Sequence, residues 1–367
     1  MGRVGLLADD LTGALDAAAP FATSQSPVAV VWSRAAPQTR ESFAVDSETR
    51  QSLPHTAVQR VTEVLPALRN CGIAFKKIDS LMRGNTLGEL RACCLSNLFG
   101  TVVIAPAFPE QGRVTRGGRQ FSHQGDGAWI PTCMNIAEDL ACENIPARVI
   151  GSGSELAGGG VAICDAETEL DLKHVVSAKT RLVEPVLWCG SAGLARALGT
   201  TDRPVCQPQC HRRLLVVGSV CPTSVQQVER VRRDYPQAVM TIHASGDIEV
   251  AVARIAHGLT QHGSALLALS PPDHDRERAS DLYRETFTHL MHVPPPDILV
   301  AVGGDTLYRL CGSLGASRLD AIGEWKPGVA VSKFVDGLWA GTVVISKSGA
   351  FGKGDCLIEI LARTEGV

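Results

Sequence analysis

The sequence predicts an α/β protein of two domains, each with a mainly parallel sheet flanked by helices. Short apolar runs alternate with helical patterns along the chain, which is typical of crossover units. The 367 residues, 45% of them hydrophobic and 20% charged, are enough for two cores. Residues 199–213 collect proline and lose this periodicity, which indicates a boundary. We therefore expect domains at 1–205 and 212–367.

Between residues 1 and 205, continuous apolar runs predict buried parallel strands, and the segments between them repeat apolar residues at helical spacing. The predicted strands are VGLLA (4–8), VAVVW (28–32), FAV (43–45), AFKKI (74–78), TVVIAP (101–106), VAIC (161–164) and the start of VLWCGSAGLARAL (186–198). The predicted helices cover 12–22, 54–70, 86–98, 135–143, 168–178 and the end of 186–198. The glycine-rich stretch 111–129 has no clear period, and a loop of that length is typical of a lid, a binding loop or disorder.

The second domain repeats this alternation. The predicted strands are LLVVGS (214–219), VMTIHA (239–244), ALLALS (265–270), DILVAV (297–302), VAVS (329–332) and TVVIS (342–346). The predicted helices cover 223–234, 247–262, 274–291 and a segment after GGDT (303–306). The same class of sheet is therefore expected twice.

Composition and charge exclude several classes of partner. The formal net charge of −3 argues against nucleic acid and acidic membranes, which require a basic surface. No apolar run reaches membrane-spanning length, and the start, MGRVGLLADD, is a poor signal peptide. The twelve cysteines show no C-x-x-C spacing and are expected to be reduced thiols of a cytoplasmic protein. Cys206 and Cys210, followed by His211, favour an exposed linker over a metal site, because no second ligand pair is evident, and no metal ligands are predicted.

Two adjacent aspartates, Asp9 and Asp10, end the first predicted strand in ADDLTGA (8–14). One carboxylate is enough to cap the helix that follows. The other is then available to accept a proton from a hydroxyl group or to hold a metal ion. The pair favours a functional role over capping alone.

Cationic residues collect at the ends of neighbouring predicted strands, in DSETR (46–50) and FKKIDSLMRGN (75–85). Carboxyl ends of parallel strands meet at one sheet edge, so we expect a cluster there of Arg50, Lys76, Lys77 and Arg83. Arginine binds a carboxylate through two parallel hydrogen bonds, and lysine adds a point charge. The cluster suits a small polyhydroxylated acid, with Asp79, Ser80 and Asn85 available for its hydroxyl groups.

Three glycine-containing turns follow strands of the second domain: VVGSVCPTSVQQ (216–227), AVGGDT (301–306) and ISKSGAFGKGD (345–355). Glycine lets backbone amides approach phosphate oxygens, and a helix N-terminus adds a favourable dipole. Each turn alone is ordinary turn chemistry. Three of them in one domain, one carrying Lys347, favour a nucleotide phosphate site, although none matches the P-loop or dinucleotide pattern.

Ten motifs, in order and over nearly the whole chain, resemble the four-carbon acid sugar kinases, a bacterial family. They are ADDLTGALD (8–16), DSETR (46–50), FKKIDSLMRGN (75–85), APAFPEQGRVT (105–115), CDAET (164–168), CGSAGLA (189–195), VVGSVCPTSVQQ (216–227), GGDT (303–306), PGVAVS (327–332) and KSGAFG (347–352). The resemblance implies that the N-terminal domain binds the sugar acid and the C-terminal domain binds ATP with Mg²⁺. It also implies phosphorylation of threonate, erythronate or a 3-oxo relative at the terminal hydroxyl group.

The resemblance assigns residues to both sites. For the acid it implies Asp10, Arg50, Lys77, Asp79, Ser80, Arg83, Gly84 and Asn85, beside which we place Asp9. For the nucleotide it implies Ser219, Gly303, Gly304, Asp305, Thr306, Lys347, Ser348, Gly349 and Gly352. Asp10, or less favourably Asp9, would accept the hydroxyl proton, and Lys347 would neutralise developing charge.

The chain departs from the family pattern at two places. Leu81 and Met82 stand where a Thr-Leu pair is usual, and SHQGDGAWIPTCMN (122–135) replaces a proline-rich segment. Two other functions stay open: a non-catalytic sensor of acid sugars, and an oxidoreductase with a nucleotide cofactor. The oligomeric state is open as well, with a homodimer as one option.

Overall fold

The computed structural model divides the chain into two compact units, Met1–Arg203 and Pro204–Val367. Each unit carries a mainly parallel sheet flanked by helices, which confirms the predicted fold class. The residues that the structure describes are 2–32, 40–123, 127–132, 135–199, 211–270 and 276–362. Cys206 and Cys210 of the predicted linker lie outside these ranges.

The strands of the first unit are β1 (Val4–Ala8), β2 (Val28–Trp32), β3 (Phe43–Asp46), β4 (Ile73–Lys77), β5 (Thr101–Ala105), β6 (Arg113–Arg116), β7 (Arg119–His123), β8 (Trp129–Pro131), β9 (Ala147–Ile150), β10 (Gly160–Cys164) and β11 (Val186–Gly190). Within its described residues, the order β2-β3-β1-β4-β11-β5-β10-β9 forms one parallel sheet. The central strands are buried along their whole length, which explains why they are largely apolar in the sequence, with the two lysines at the end of β4 as the exception.

Six helices of the described chain cover this sheet: α1 (Leu11–Ala18), α2 (Pro54–Leu68), α3 (Thr86–Leu95), α4 (Ile136–Ala141), α5 (Glu169–Ser177) and α6 (Ala192–Leu198). Short 3-10 turns occupy Ala19–Phe21, Pro109–Gln111 and Ala178–Arg181. Helix α2 illustrates the pattern, because its buried stripe recurs every three or four residues at Ala57, Val61, Val64, Leu65 and Leu68.

The glycine-rich stretch predicted as a lid, a binding loop or disorder instead contains an antiparallel sheet of β6, β7 and β8. Gly117 and Gly118 form its first turn, both with positive φ, as a two-residue hairpin requires. The strands escaped sequence analysis because they are three to five residues long, and β6 and β7 are rich in polar side chains. The Gly-Gly pair was the available signal.

The strands of the second unit are β12 (Arg213–Val217), β13 (Val239–Ile242), β14 (Ser264–Leu269), β15 (Ile298–Val302), β16 (Arg318–Lys326), β17 (Val329–Phe334) and β18 (Val343–Lys347). In the order β13-β14-β12-β15-β18-β17-β16, the first five are parallel, and β17 runs antiparallel to its neighbours. Strand β16 was not predicted, although its burial alternates residue by residue.

The helices of the second unit are α7 (Pro222–Asp234), α8 (Ile248–Gln261), α9 (Arg276–Leu290), α10 (Gly304–Leu314) and α11 (Cys356–Ala362), with 3-10 turns at Pro236–Ala238 and Ser245–Asp247. Across the described part of the chain, none of the helices has both the length and the hydropathy needed to cross a membrane.

The strand order explains how residues far apart in the chain meet. In the first unit β1 lies between β3 and β4, so the segments that follow these three strands share one edge. In the second unit β15 lies between β12 and β18 in the same way. Each unit therefore collects the ends of three neighbouring strands, where open parallel sheets bind ligands.

Candidate functional site

Arg50 joins the ends of β1 and β3. Its Nε and Nη2 donate to Asp9 Oδ2 and Oδ1 at 2.8 and 2.9 Å, and its Nη1 donates to Asp10 Oδ2 at 2.5 Å. Burial by itself would raise the pKa of Asp9, but the Arg50 charge and hydrogen bonds, with Lys76 and Lys77, hold that pKa below its usual range. Both aspartate side chains therefore face one guanidinium.

Asp10 has the capping role and also remains reachable from solvent. Its Oδ1 accepts a hydrogen bond from the Gly13 amide at 2.7 Å, at the N-terminus of α1. A Cβ at position 13 would lie 2.6 Å from that oxygen, so a larger residue there would displace the Asp10 carboxylate. The Asp10 side chain is 20% exposed, against 2% for Asp9. Of the two, Asp10 is the carboxylate that a ligand can reach.

The loop after β4 carries a second arginine–aspartate pair. Arg83 Nε and Nη2 donate to Asp79 Oδ2 and Oδ1 at 2.8 and 2.9 Å, and the Arg83 amide donates to Oδ2 at 3.1 Å. Arg50 Nη2 lies 3.7 Å from Asp79 Oδ1. Burial would raise the pKa of Asp79, but the Arg83 hydrogen bonds and both arginine charges lower it. The Arg83 side chain is nevertheless 46% exposed, so its guanidinium is accessible.

The two adjacent lysines of β4 point to opposite faces of the sheet, as successive strand residues do. Lys77 Nζ lies 3.6 Å from Asp16 Oδ1 of α1, on the face of the aspartate pair. Lys76 Nζ lies 2.6 Å from Glu89 Oε2 of α3, and both side chains are almost completely buried. Lys76 is therefore paired with Glu89 on the other face of the sheet and does not line the site as predicted, a correction that follows from strand alternation, although its charge still lowers the pKa of Asp9.

Gly84 and Asn85 hold the Arg50 segment in place. Gly84 has a φ of 69°, and a Cβ there would lie 2.6 Å from the Arg50 carbonyl oxygen. The Asn85 amide nitrogen donates to the carbonyl oxygens of Thr49 and Ser52 at 2.7 and 2.9 Å. Both residues thus act on the backbone that presents Arg50.

Two residues that sequence reasoning missed complete this site. The side-chain amide nitrogen of Gln120, on β7, donates to the Ser80 carbonyl oxygen at 2.9 Å, and Ser80 itself is buried. Asp46, at the end of β3, is buried, and burial with the neighbouring Asp10 and Asp9 raises its pKa well above the usual value. Nothing in the sequence pattern indicated a role for Gln120. Asp46 was included only as the first residue of the DSETR motif (46–50).

In the second unit, the three glycine turns converge. A Cβ at Gly349 would overlap with Ser219 Oγ, so the turns after β12 and β18 touch only because residue 349 is glycine. Gly303 has a φ of 106°, and its amide donates to the Lys347 carbonyl oxygen at 3.0 Å. Glycine at positions 303 and 349 thus lets the three turns pack closely together, and we refer to Ser219, Gly303 and Gly349 as the glycine cradle.

Lys347 is buried at the end of β18. Its Nζ donates to the carbonyl oxygens of Phe351 and Ser348 at 3.0 and 3.3 Å and so closes the loop that follows the strand. Burial lowers the pKa of Lys347 to about 8, although Cys356 and Cys221 act in the opposite direction. This amine can therefore change its charge near neutral pH.

The other predicted nucleotide residues lie at the start of α10 and in the loop after β18. Gly304, Asp305 and Thr306 open α10, and Asp305 Oδ2 accepts a hydrogen bond from Arg309 Nε at 2.8 Å. Thr306 is buried. Gly352 lies in the loop after β18 with a φ of 85°.

Tyr283 of α9 was missed, because a tyrosine in a charged helix carries no motif. Its hydroxyl group donates to the Gly218 carbonyl oxygen. Burial and the charge of Asp305 raise the pKa of Tyr283 to about 12, although a hydrogen bond with Thr306 acts in the opposite direction. It therefore stays a neutral donor that fixes the turn after β12.

Comparisons with known proteins agree with this division. Residues 4–128 match the model of a "Sugar-binding N-terminal domain", and residues 214–357 match that of a "Nucleotide-binding C-terminal domain". Each match covers the part of its unit that carries the strand-end residues described above.

Relatives named as sugar acid kinases align over almost their entire length. A D-threonate kinase of Cupriavidus necator is 30% identical, with 95% of this chain and 94% of that protein covered. A D-erythronate kinase of Heliobacterium modesticaldum is 24% identical, with 97% and 95% covered. Among solved structures, a Salmonella typhimurium LT2 protein is similar with a TM-score of 0.72 at 19% identity, covering 98% of this chain and 99% of the other, a likeness of fold.

Proposed function

We propose that this chain, which belongs to the four-carbon acid sugar kinase family, transfers the γ-phosphoryl group of ATP to the terminal hydroxyl group of a four-carbon sugar acid of the threonate, erythronate or 3-oxo-tetronate type. The observation that carries the proposal is the pairing of two different strand-end sites on one chain. One unit offers arginines with an accessible carboxylate, and the other offers a glycine cradle with a buried lysine.

In the proposed reaction, the acceptor hydroxyl oxygen forms a bond to the γ-phosphorus while the bond from that phosphorus to the β,γ-bridging oxygen breaks. The hydroxyl proton passes to Asp10, the carboxylate that solvent reaches, and ADP leaves with the electron pair of the broken bond. Asp9, which is buried and bound through both oxygens to Arg50, is less suited to this role.

The substrate carboxylate would be bound by Arg50, Arg83 and Lys77. Each guanidinium carries five N–H donors, and the contacts with Asp9, Asp10 and Asp79 do not use all of them. These aspartates orient the arginine forks in advance, which lowers the entropic cost of ordering them around a ligand.

On the nucleotide side, the cradle of Ser219, Gly303 and Gly349 would receive the phosphates, with Lys347 as the nearby positive charge. Mg²⁺ would accompany the nucleotide and neutralise its phosphate oxygens. The described residues contain no cluster of three or more His, Cys, Asp or Glu side chains that could hold a metal ion by themselves. The phosphates would therefore supply most of its ligands.

The deciding experiment is a screen of ADP release with Mg-ATP and a panel of four-carbon sugar acids of both configurations and their 3-oxo forms. We expect turnover with one or a few members and none with neutral four-carbon sugars. Tight binding of an acid with no ADP release from any of them would instead favour the sensor. Stabilisation of the protein by NAD but not by ATP would favour the oxidoreductase.

Gly349→Ala should weaken nucleotide binding, because the added methyl group overlaps with Ser219 Oγ and forces the two turns apart. We expect the affinity for Mg-ATP to fall by roughly 100-fold, as for displacements of about 1 Å in a binding site. Isothermal titration checks this. Gly354→Ala is the matched control, because no atom lies within 4 Å of a Cβ there, and wild-type affinity in both variants would refute the cradle.

The affinity for ATP should depend on the charge of Lys347, whose pKa is about 8. The amine is cationic below this pH and neutral above it, so the KM for ATP should rise as pH increases through about 8. In Lys347→Met that rise should disappear and the KM should be high throughout. A pH dependence identical in both proteins would show that Lys347 does not bind the phosphates.

The free energy of unfolding provides an independent measure of the same group. The pKa of Lys347 is about 8 in the folded protein and 10.5 for an ordinary lysine, so the unfolded chain binds more protons between these values. Over that window the wild type should gain stability relative to Lys347→Met as pH rises. Urea unfolding at a series of pH values measures this difference.

A further inference from the structure

Two completely buried glutamines contact the loops of the two candidate sites. Gln120 lies on β7 and Gln227 on α7, one in each unit. Buried amides need hydrogen-bond partners wherever they occur, so burial alone indicates nothing about function. Their acceptors are more informative, because the side-chain amide nitrogen of each donates to carbonyl oxygens outside the regular strands and helices.

Gln120 Nε2 donates to the carbonyl oxygens of Ser80 and Pro106 at 2.9 and 3.3 Å, and its Oε1 accepts from Thr115 Oγ1 at 2.7 Å. Ser80 lies between the two members of the Asp79–Arg83 pair. Pro106 follows β5. One amide therefore ties the substrate loop to a second strand end and to the small antiparallel sheet.

Gln227 makes the equivalent contacts in the second unit. Its Nε2 donates to the carbonyl oxygens of Phe351, Gly352 and Lys353 at 3.2, 3.2 and 2.9 Å. Lys347 Nζ donates to the same Phe351 oxygen at 3.0 Å. The loop that bears Gly349 is thus held by two buried donors, one of which is not part of the proposed phosphate site.

We propose that Gln120 and Gln227 are positioning residues, the first for the loop that binds the sugar acid and the second for the loop that binds the nucleotide. Loop carbonyls have no sheet partner, so without these donors the loops lose their fixed geometry. The inference rests on the proposed function for the identity of the ligands. It also assigns a role to the antiparallel sheet, which carries Gln120 on β7.

The test uses Gln120→Met and Gln227→Met, which nearly preserve side-chain volume and remove the donors, so each variant is the control for the other. Gln120→Met should raise the KM for the sugar acid by roughly tenfold, with the KM for ATP within about twofold of wild type. Gln227→Met should show the reverse. Equal changes in both KM values, or none, would overturn the proposal. If Gln120→Met folds poorly, Thr115→Val removes only the hydroxyl group that orients the amide.

Hydrogen exchange of the ligand-free variants separates this inference from the proposed function. Gln120→Met should increase amide exchange in peptides covering 79–85 and leave those covering 347–353 unchanged, and Gln227→Met should do the opposite. The positioning roles are wrong if exchange rises throughout a unit or in neither loop. Hydrogen exchange tests the positioning roles even if the wild type shows no kinase activity. Such a lack of activity would refute the proposed function but not the positioning roles.

Gln120→Glu adds a further measurement, the pH dependence of the KM for the sugar acid, which a purely structural role of Gln120 would leave unchanged. A carboxylic acid donates one hydrogen bond to the Ser80 carbonyl oxygen only when it is protonated, and burial raises its pKa. Relative to wild type, the KM for the sugar acid should therefore recover as pH falls from about 8 to about 6. Gln120→Met should show no such recovery, and identical pH profiles of the two variants would contradict the role of the donated hydrogen bond.

Discussion

Asp10→Asn is expected to lower kcat by roughly 10³-fold while the KM for ATP stays within about twofold, because general-base catalysis contributes about 10²–10⁴. An asparagine oxygen can still accept the hydrogen bond from Gly13, so the cap of α1 is kept. Arg50 also keeps both hydrogen bonds to Asp9. The substitution removes the proton acceptor and also the hydrogen bond from Arg50 Nη1, because the amide NH₂ group of asparagine then faces that donor. Steady-state ADP release measures the effect.

Asp9→Asn is the comparison that separates the two carboxylates. Asp9 is buried and bound through both oxygens to Arg50, so its replacement should lower the melting temperature and weaken acid binding. Near-normal kcat in Asp10→Asn, with kcat abolished in a stable Asp9→Asn protein, would transfer the role of base to Asp9. Near-normal kcat in both variants would show that neither aspartate is the general base.

Arg50→Met is expected to destabilise the first unit by about 3–5 kcal/mol and to abolish binding of the sugar acid, because it leaves buried carboxylates without their cation. Asp9 would lose both of its arginine hydrogen bonds, and Asp10 and Asp79 would lose a neighbouring charge. Urea unfolding and titration with the acid identified in the screen measure the two effects. Arg181→Met is the control, since its pair with Glu155 is exposed and should contribute less than about 1 kcal/mol.

The dependence of the free energy of unfolding on pH in the acid range gives a second measure of the ion pairs that Arg50 forms. The pKa values of Asp9 and Asp79 are lowered in the folded protein, so their contribution is present above the ordinary aspartate pKa of about 4 and is lost as pH falls below it. In Arg50→Met this loss should be smaller. A wild-type slope in the variant would show that other groups lower these pKa values.

Much of the fold was readable because buried parallel strands have a distinctive composition. The β1, β5 and β12 segments are largely apolar runs, and their predicted bounds agree with the structure to within two residues. Strands β6, β7 and β8 carry no such signal, since they are short and their sheet presents polar residues. Strand β16 has the alternating burial of a strand with one buried face, a weaker pattern than an apolar run.

Most of the candidate site could be anticipated for a related reason. Residues placed directly after buried strands must lie at the sheet edge, so Asp9, Asp10, Arg50 and Lys77 could be grouped from the sequence. Strand alternation, applied strictly, would also have set Lys76 apart from Lys77. Gln120, Gln227 and Tyr283 could not be found, because each contacts carbonyl oxygens of residues distant in the chain.

The amino-acid pattern alone thus establishes the α/β class, the two sets of strands and the chemical character of the residues at their ends, because these follow from local periodicity and from the geometry of parallel sheets. Tertiary packing establishes which charges face one another. It pairs Arg50 with Asp9 and Asp10, Arg83 with Asp79, and Lys76 with Glu89. Coulomb energy and desolvation depend on distance and burial in the folded chain, and neither quantity is encoded in the spacing of residues along the sequence.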